Sequence, residues 1–127
     1  MNKDTPSPEF ARVFGRLRDV LRPYAKYLVC TQNTAVDYYL NTHHIMKNKK
    51  PLFFAAAQIK KNYVSYHLMP IYVFPELITD LSPSLRQRMQ GKSCFNFRTV
   101  NPPLMLELET LTTAGMAKYR QAGYVNV

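Results

Sequence analysis

Between Pro8 and Leu21 the apolar positions Phe10, Val13, Phe14, Leu17, Val20 and Leu21 recur at spacings of three and four. Such spacing lines one face of an α-helix, with Arg12, Arg16, Arg18 and Asp19 on the opposite side. Ser7 before Pro8 reads as an N-cap followed by proline at the first helical position. Pro23 ends or kinks the helix near Leu21. The period then changes. Tyr27–Thr31 and Ala35–Leu40 have the β-branched and aromatic content of two short strands around an Asn33-Thr34 turn. Asn41–Lys50, with His43, His44, Lys47, Lys49 and Lys50, keeps neither period and reads as a basic loop.

Pro51–Ile59 is almost wholly apolar over a strand's length, the signature of a central strand covered on both faces. Its three alanines, Ala55–Ala57, suggest that a helix comes close. Lys60-Lys61-Asn62 makes the turn, and Tyr63–Met69 returns with Tyr63, Ser65 and His67 on one face and Val64, Tyr66 and Leu68 on the other. Pro70 stops that strand. Pro75–Leu81 predicts a helical turn or two, and Ser82-Pro83 caps a short helix running to Met89, stopped by Gly91. Lys92–Arg98 is the fifth strand, with Ser93, Phe95 and Phe97 opposite Cys94, Asn96 and Arg98. Asn101-Pro102-Pro103 opens a last helix from Leu104 to about Ala122, closed by Gly123.

This order contains hairpins and no βαβ unit. It predicts an α+β domain with a mostly antiparallel five-stranded sheet, helices on one face, and the other face partly open. Residues 1–7 are read as a flexible arm and 8–127 as the single domain.

Composition adjusts that picture little. A chain of 127 residues with 46% hydrophobic content can build one core. No run reaches the roughly 18 apolar residues of a membrane span, and the start, MNKDTPSPEF, has no apolar stretch, so a cytoplasmic protein without a membrane partner is expected. Cys30 and Cys94 are then expected as free thiols. Charge does change the picture. Seventeen Lys and Arg against eight Asp and Glu give +9, which favours an anionic partner: a small anion or, by counterion release, nucleic acid. Solubility alone would also account for it.

The candidate chemistry concentrates between Leu52 and Phe97. His67 could work as an acid, base or ligand near neutral pH, although a lone strand histidine is more commonly half-buried and hydrogen-bonded to backbone. Cys94 lies between Lys92 and Arg98, cations that would favour its thiolate; a buried thiol is the commoner fate. A Cys94–His67 couple would need both on one sheet face. Among Lys60, Lys61, Arg86, Arg88, Lys92 and Arg98, residues 86 and 88 diverge on a helix, and Arg88 is the better partner for Lys92. Tyr38, Tyr39, Tyr63, Tyr66 and Tyr72 offer stacking surfaces, with Tyr66 and Tyr39 read as core. Adjacent His43 and His44 point apart, a poor start for a metal site. There is no phosphate-cradling glycine loop, nucleophile elbow or CxxC, so no enzyme class and no cofactor is indicated.

The segments KKNYVSYHLMPIY, PSLRQRMQGKSCFNF and LELETLTTAG together resemble the YdhG-like family, small bacterial α+β proteins without an agreed reaction, over roughly Leu28 to Tyr119. The resemblance rests on the spacing of Lys61, Tyr63, Ser65 and His67 and of Gly91, Lys92, Cys94, Phe95 and Phe97. It implies the α+β fold and, through one branch described as frataxin-like, iron or metal chaperoning. The reading of the residues themselves is a non-enzymatic module binding an anionic or planar small ligand, or a protein partner, as a monomer or homodimer. Its site is expected on the sheet face of Lys61, Tyr63 and His67, extended by Tyr72, Arg88, Lys92 and Cys94, with no metal ligand and with weak nucleic-acid binding as a further alternative.

Overall fold

The computed structural model describes residues 6–126; the first five positions of the expected N-terminal arm lie outside the described residues. Helix α1 (Pro8–Leu21) begins where the sequence signals it, with the Ser7 hydroxyl accepting from the Phe10 amide at 3.1 Å. It buries Val13, Phe14, Leu17, Val20 and Leu21. The α-helix ends at Leu21, as Pro23 signals. The chain then tightens into a 3-10 turn, Arg22–Tyr27, which takes Tyr27 out of the expected first strand.

The sheet has six antiparallel strands in the order β1-β2-β3-β4-β6-β5, one more than expected. These are β1 (Val29–Asn33), β2 (Asp37–Ile45), β3 (Pro51–Ile59), β4 (Val64–Leu68), β5 (Met89–Gln90) and β6 (Cys94–Phe97). Helix α2 (Met69–Val73) follows β4, α3 (Pro83–Arg86) precedes β5, and α4 (Pro102–Gln121) closes the fold. The extra strand is β5, from residues read as the tail of a helix. That helix is a single turn capped by Ser82, and the chain reverses through Gly91, whose φ of +71° suits glycine.

Two bulges shape the sheet. On β1 an extra residue, Thr31, lies between Cys30 and Gln32, which pair with Leu40 and Tyr39. On β3 the register jumps so that Leu40 faces Ala55 while Asn41 faces Phe53. Phe54 is the extra residue. The jump puts Phe54 on the same side as Ala55 and Ala57 and Phe53 on the other. Phe54 meets Tyr24 and Tyr119 under the helices, and Phe53 stacks on Tyr39 at 4.5 Å on the other face. Beyond it β2 continues through residues expected as a loop. There the buried Thr42 hydroxyl bonds the Leu52 carbonyl at 2.8 Å, substituting for ladder bonds the irregular register omits. Only 46–50 remain as the turn.

Helices α1 and α4 cover one face. Val64, Tyr66 and Leu68 are fully buried beneath them, with Ala55 and Ala57 where α1 crosses β3. Helix α4 starts at the Asn101 cap and ends with Tyr124 and Gly123 amides returning to the Tyr119 and Arg120 carbonyls. Two tyrosine hydroxyls tie it to the sheet: Tyr66 to Thr112 at 2.6 Å, and Tyr119 to the Phe53 carbonyl at the bulge, 2.9 Å. Among the described residues no helix is long and apolar enough to cross a membrane.

The Tyr66–Thr112 pair gives an asymmetric expectation. Thr112 also donates to the Leu108 carbonyl, so Tyr66→Phe leaves no stranded donor and costs about 1 kcal/mol. Thr112→Val leaves the buried Tyr66 phenol without its partner and costs roughly 1–3 kcal/mol. Urea unfolding of the two variants measures the difference; equal losses would show that the phenol finds another acceptor.

Candidate functional site

Among the described residues no element covers the sheet face away from α1 and α4, and its side chains stand in rows set by strand register. One row runs Asp37, Gln58, Ser65, Asn96 across β2, β3, β4 and β6. The next runs Tyr39, Ala56, His67, Cys94, Gln90, ending on β5. Arg88 extends the first row, since its carbonyl accepts from the Asn96 amide. Lys60 and Tyr63 close the β3–β4 hairpin, and Arg98 follows β6, its Nε donating to the Asn62 carbonyl at 3.2 Å.

The expected site residues therefore divide. Tyr63, His67, Arg88 and Cys94 share the open face, as their strand parity requires. Lys61 sits exposed in the turn beyond them. Tyr72 and Lys92 do not join this face. They line a separate cleft of about 490 Å³ with Ile71, Pro75, Ile78 and Met89. The cation partnering Lys92 there is Arg86, not Arg88. Helix α3 ends at Arg86, so Arg88 is already on its way into β5 and follows strand geometry rather than helical divergence. Arg88 instead lines a polar hollow of about 290 Å³ with Tyr63, Gln90, Asn96 and Arg98.

His67 and Cys94 are directly opposed in register but form no activated couple. The His67 Nε2 shares a hydrogen bond with the Ser93 hydroxyl at 2.9 Å, and its ring meets Phe53 edge-on at 4.8 Å. Burial lowers its pKa from 6.5, favouring neutral imidazole. Burial likewise raises the Cys94 thiol, against smaller opposing pulls from Ser65 and Lys60. The cation acting on Cys94 is Lys60 rather than its sequence neighbours Lys92 and Arg98, and desolvation outweighs it. Tyr66 is core as expected, whereas Tyr39 lies half-buried on the open face.

The cleft has a simpler chemistry. Ile71 is buried in its wall, and the Tyr72 ring, 57% exposed, stands with the Lys92 ammonium 5.8 Å from its centroid. Arg86 is pinned at the rim by a 2.8 Å bond from Nη2 to the Ile78 carbonyl. No carboxylate is among the lining residues. A third hollow, about 350 Å³, holds His43, His44, Tyr27 and Tyr124, with the His44 ring 4.8 Å from that of Tyr124. Among the described residues no three His, Cys, Asp or Glu side chains are grouped to hold a metal ion.

Phe53 and Gln58 are not singled out by the sequence, while Arg86 is passed over for Arg88 and Tyr39 reads as core. Gly91, set between Met89 and Phe95, was the one hint of the β5–β6 hairpin. Nothing local marks the bulge that turns Phe53 outward. No family model matches this chain, and neither curated proteins nor solved structures yield a significant match.

Two measurements follow. Because the folded His67 pKa lies below its unfolded value, the unfolded chain takes up its proton first as pH falls. Stability is then lost below about pH 6.5, down to the folded pKa. Thermal melts between about pH 7.5 and 5 should show a shallower loss for His67→Gln than for the parent; parallel curves would remove His67 as a source. Iodoacetamide at neutral pH should label exposed Cys30 before Cys94, read by peptide mass spectrometry. Faster labelling of Cys94 would contradict its raised pKa.

Proposed function

We propose that this protein is a non-enzymatic binding module for a small organic anion with a planar or apolar body, held in the cleft between α2, α3 and the β5–β6 turn. The single observation behind this reading is the composition of that cleft. An apolar floor of Ile71, Pro75, Ile78 and Met89 adjoins two cations, Arg86 and Lys92, and an exposed phenol, Tyr72. Ligand pockets of this size are typically apolar with a few convergent polar groups that fix orientation. Here the floor takes the hydrophobic body, Tyr72 offers a ring to stack on, and the cations meet a carboxylate or phosphate at one end. Arg86 is already held by the Ile78 carbonyl, so its remaining N–H groups are partly pre-organised.

The YdhG-like resemblance stands beside this reading as a proposal about kinship. Its iron-handling branch calls for clustered donor side chains, and the described residues bring no such trio together.

The test is a thermal-shift panel of aromatic carboxylates and phosphates, each beside its neutral amide or alcohol, followed by calorimetry on any anion that stabilises. A ligand at about 100 times its Kd adds about 2.7 kcal/mol to the native state. Anions should stabilise and their neutral counterparts should not. Lys92→Gln should weaken binding roughly tenfold, the loss of one charge-assisted contact of about 1.4 kcal/mol. Equal affinity of parent and Lys92→Gln for every anion that binds would place the ligand elsewhere.

A further inference from the structure

The open sheet face, a surface distinct from the cleft, has a charge that the net value conceals. Residues 29–68 and 88–98, the strands and the turns between them, carry eight Lys and Arg and one carboxylate, Asp37. The remaining described segments carry eight Lys and Arg against six Asp and Glu. Every ion pair among the described residues belongs to that helical side: Arg12–Glu9, Arg16–Glu109, Arg22–Asp19 and Lys118–Glu76. The one acid on the strand side is occupied, its Oδ1 accepting from the Gln58 amide at 3.2 Å. Almost all the excess positive charge therefore belongs to the sheet and its turns.

On the open face three of these cations lie at one end of a group of rings. Tyr39 and Phe53 are stacked, His67 meets Phe53 edge-on, and Tyr63 stands where the β3–β4 hairpin begins its return. Lys60, Arg88 and Arg98 lie along the same end and edge. Between rings and cations runs a polar row of Gln58, Ser65 and Asn96, in which Ser65 is buried, the Gln58 amide is bonded to Asp37, and the half-buried Asn96 amide can both donate and accept. We infer that this face binds single-stranded nucleic acid, with bases on the Tyr39 and Tyr63 rings and phosphates along Lys60, Arg88 and Arg98.

The alternatives fit less well. A second copy laid face to face would oppose like charge to like. A duplex is read by an element that enters a groove, and the open strand face presents no helix to do so, whereas unstacked bases can lie on its rings. A membrane surface calls for protruding apolar side chains, but Phe53 is only 9% exposed and the row beside it is polar. From β2 to β5 the face spans four inter-strand gaps, roughly 19 Å. That matches the short end of single-strand sites of about 4–16 nucleotides.

The experiment is fluorescence anisotropy of the full chain with labelled single-stranded RNA and DNA of about 12 nucleotides, over a salt series. Three phosphate contacts predict a log–log salt slope of about −2. The triple variant Lys60→Gln, Arg88→Gln, Arg98→Gln should lose roughly tenfold or more in affinity and flatten that slope. Tyr39→Leu should weaken binding roughly tenfold at unchanged slope, through lost stacking. Tyr63→Leu serves in its place if Tyr39→Leu melts early. A charge-matched triple on the helical side, Arg12→Gln, Lys118→Gln, Arg120→Gln, should bind like the parent. An equal loss there would reduce the effect to net charge and overturn the assignment. So would duplex bound as tightly as single strand, or binding to phosphatidylserine vesicles without binding to oligonucleotides. None of these outcomes bears on the cleft, whose variants are scored separately.

Discussion

The register jump at Phe54 is the constraint from which much of this molecule follows. A regular strand would place Phe53, Ala55 and Ala57 on one face and Phe54 with Ala56 on the other. With one residue looped out, β3 presents Phe54 to the helices while keeping Ala55 and Ala57 beneath them as well. The carbonyl of Phe53 accepts from the Tyr119 hydroxyl and so anchors the far end of α4. Burying Phe54 contributes about 2 kcal/mol. The bulge also turns Phe53 outward against Tyr39 and His67. One backbone irregularity thus organises the core and decorates the opposite face.

That irregularity also explains what sequence could and could not disclose. Helices α1 and α4 were legible because period and cap coincide: Ser7 with Pro8, and Asn101 with Pro102, each followed by a long apolar stripe. Strands β3 and β4 were legible from their length and from the alternation of Val64, Tyr66 and Leu68. The second half of β2 was not, because its inward positions hold polar Thr42 and His44, Thr42 being buried with its hydroxyl bonded to the Leu52 carbonyl. Strand β5 was hidden by its length of two residues, which no periodicity can reveal. Parity placed Tyr63 and His67 on one side, whereas the pairing of Cys94 opposite His67 is a matter of strand register that alternation does not show. Parity carried no information about Tyr72, which follows Pro70 into a different element, nor about which arginine would meet Lys92.

The distribution of charge matters more than its sum. On the helical side four of the eight cations are paired with carboxylates and acids nearly match cations in number, so that surface behaves as an ordinary solvated one. Across the sheet the cations have almost no local counterion of protein origin. The protein therefore carries two surfaces of different character. The cleft is small, apolar-floored and suited to a molecule of limited size. The face is broad, bordered by cations along one end and edge, and suited to something extended.

The margins of the sheet bear on how such a chain behaves when concentrated. At one margin β1 is fully exposed but bent by its extra residue at Thr31, and at the other β5 is two residues long. Neither offers a straight row of free amides and carbonyls on which another strand could add. Sideways polymerisation is thereby discouraged at both ends, which lets a bare, ring-bearing face persist in a crowded solution without seeding fibres.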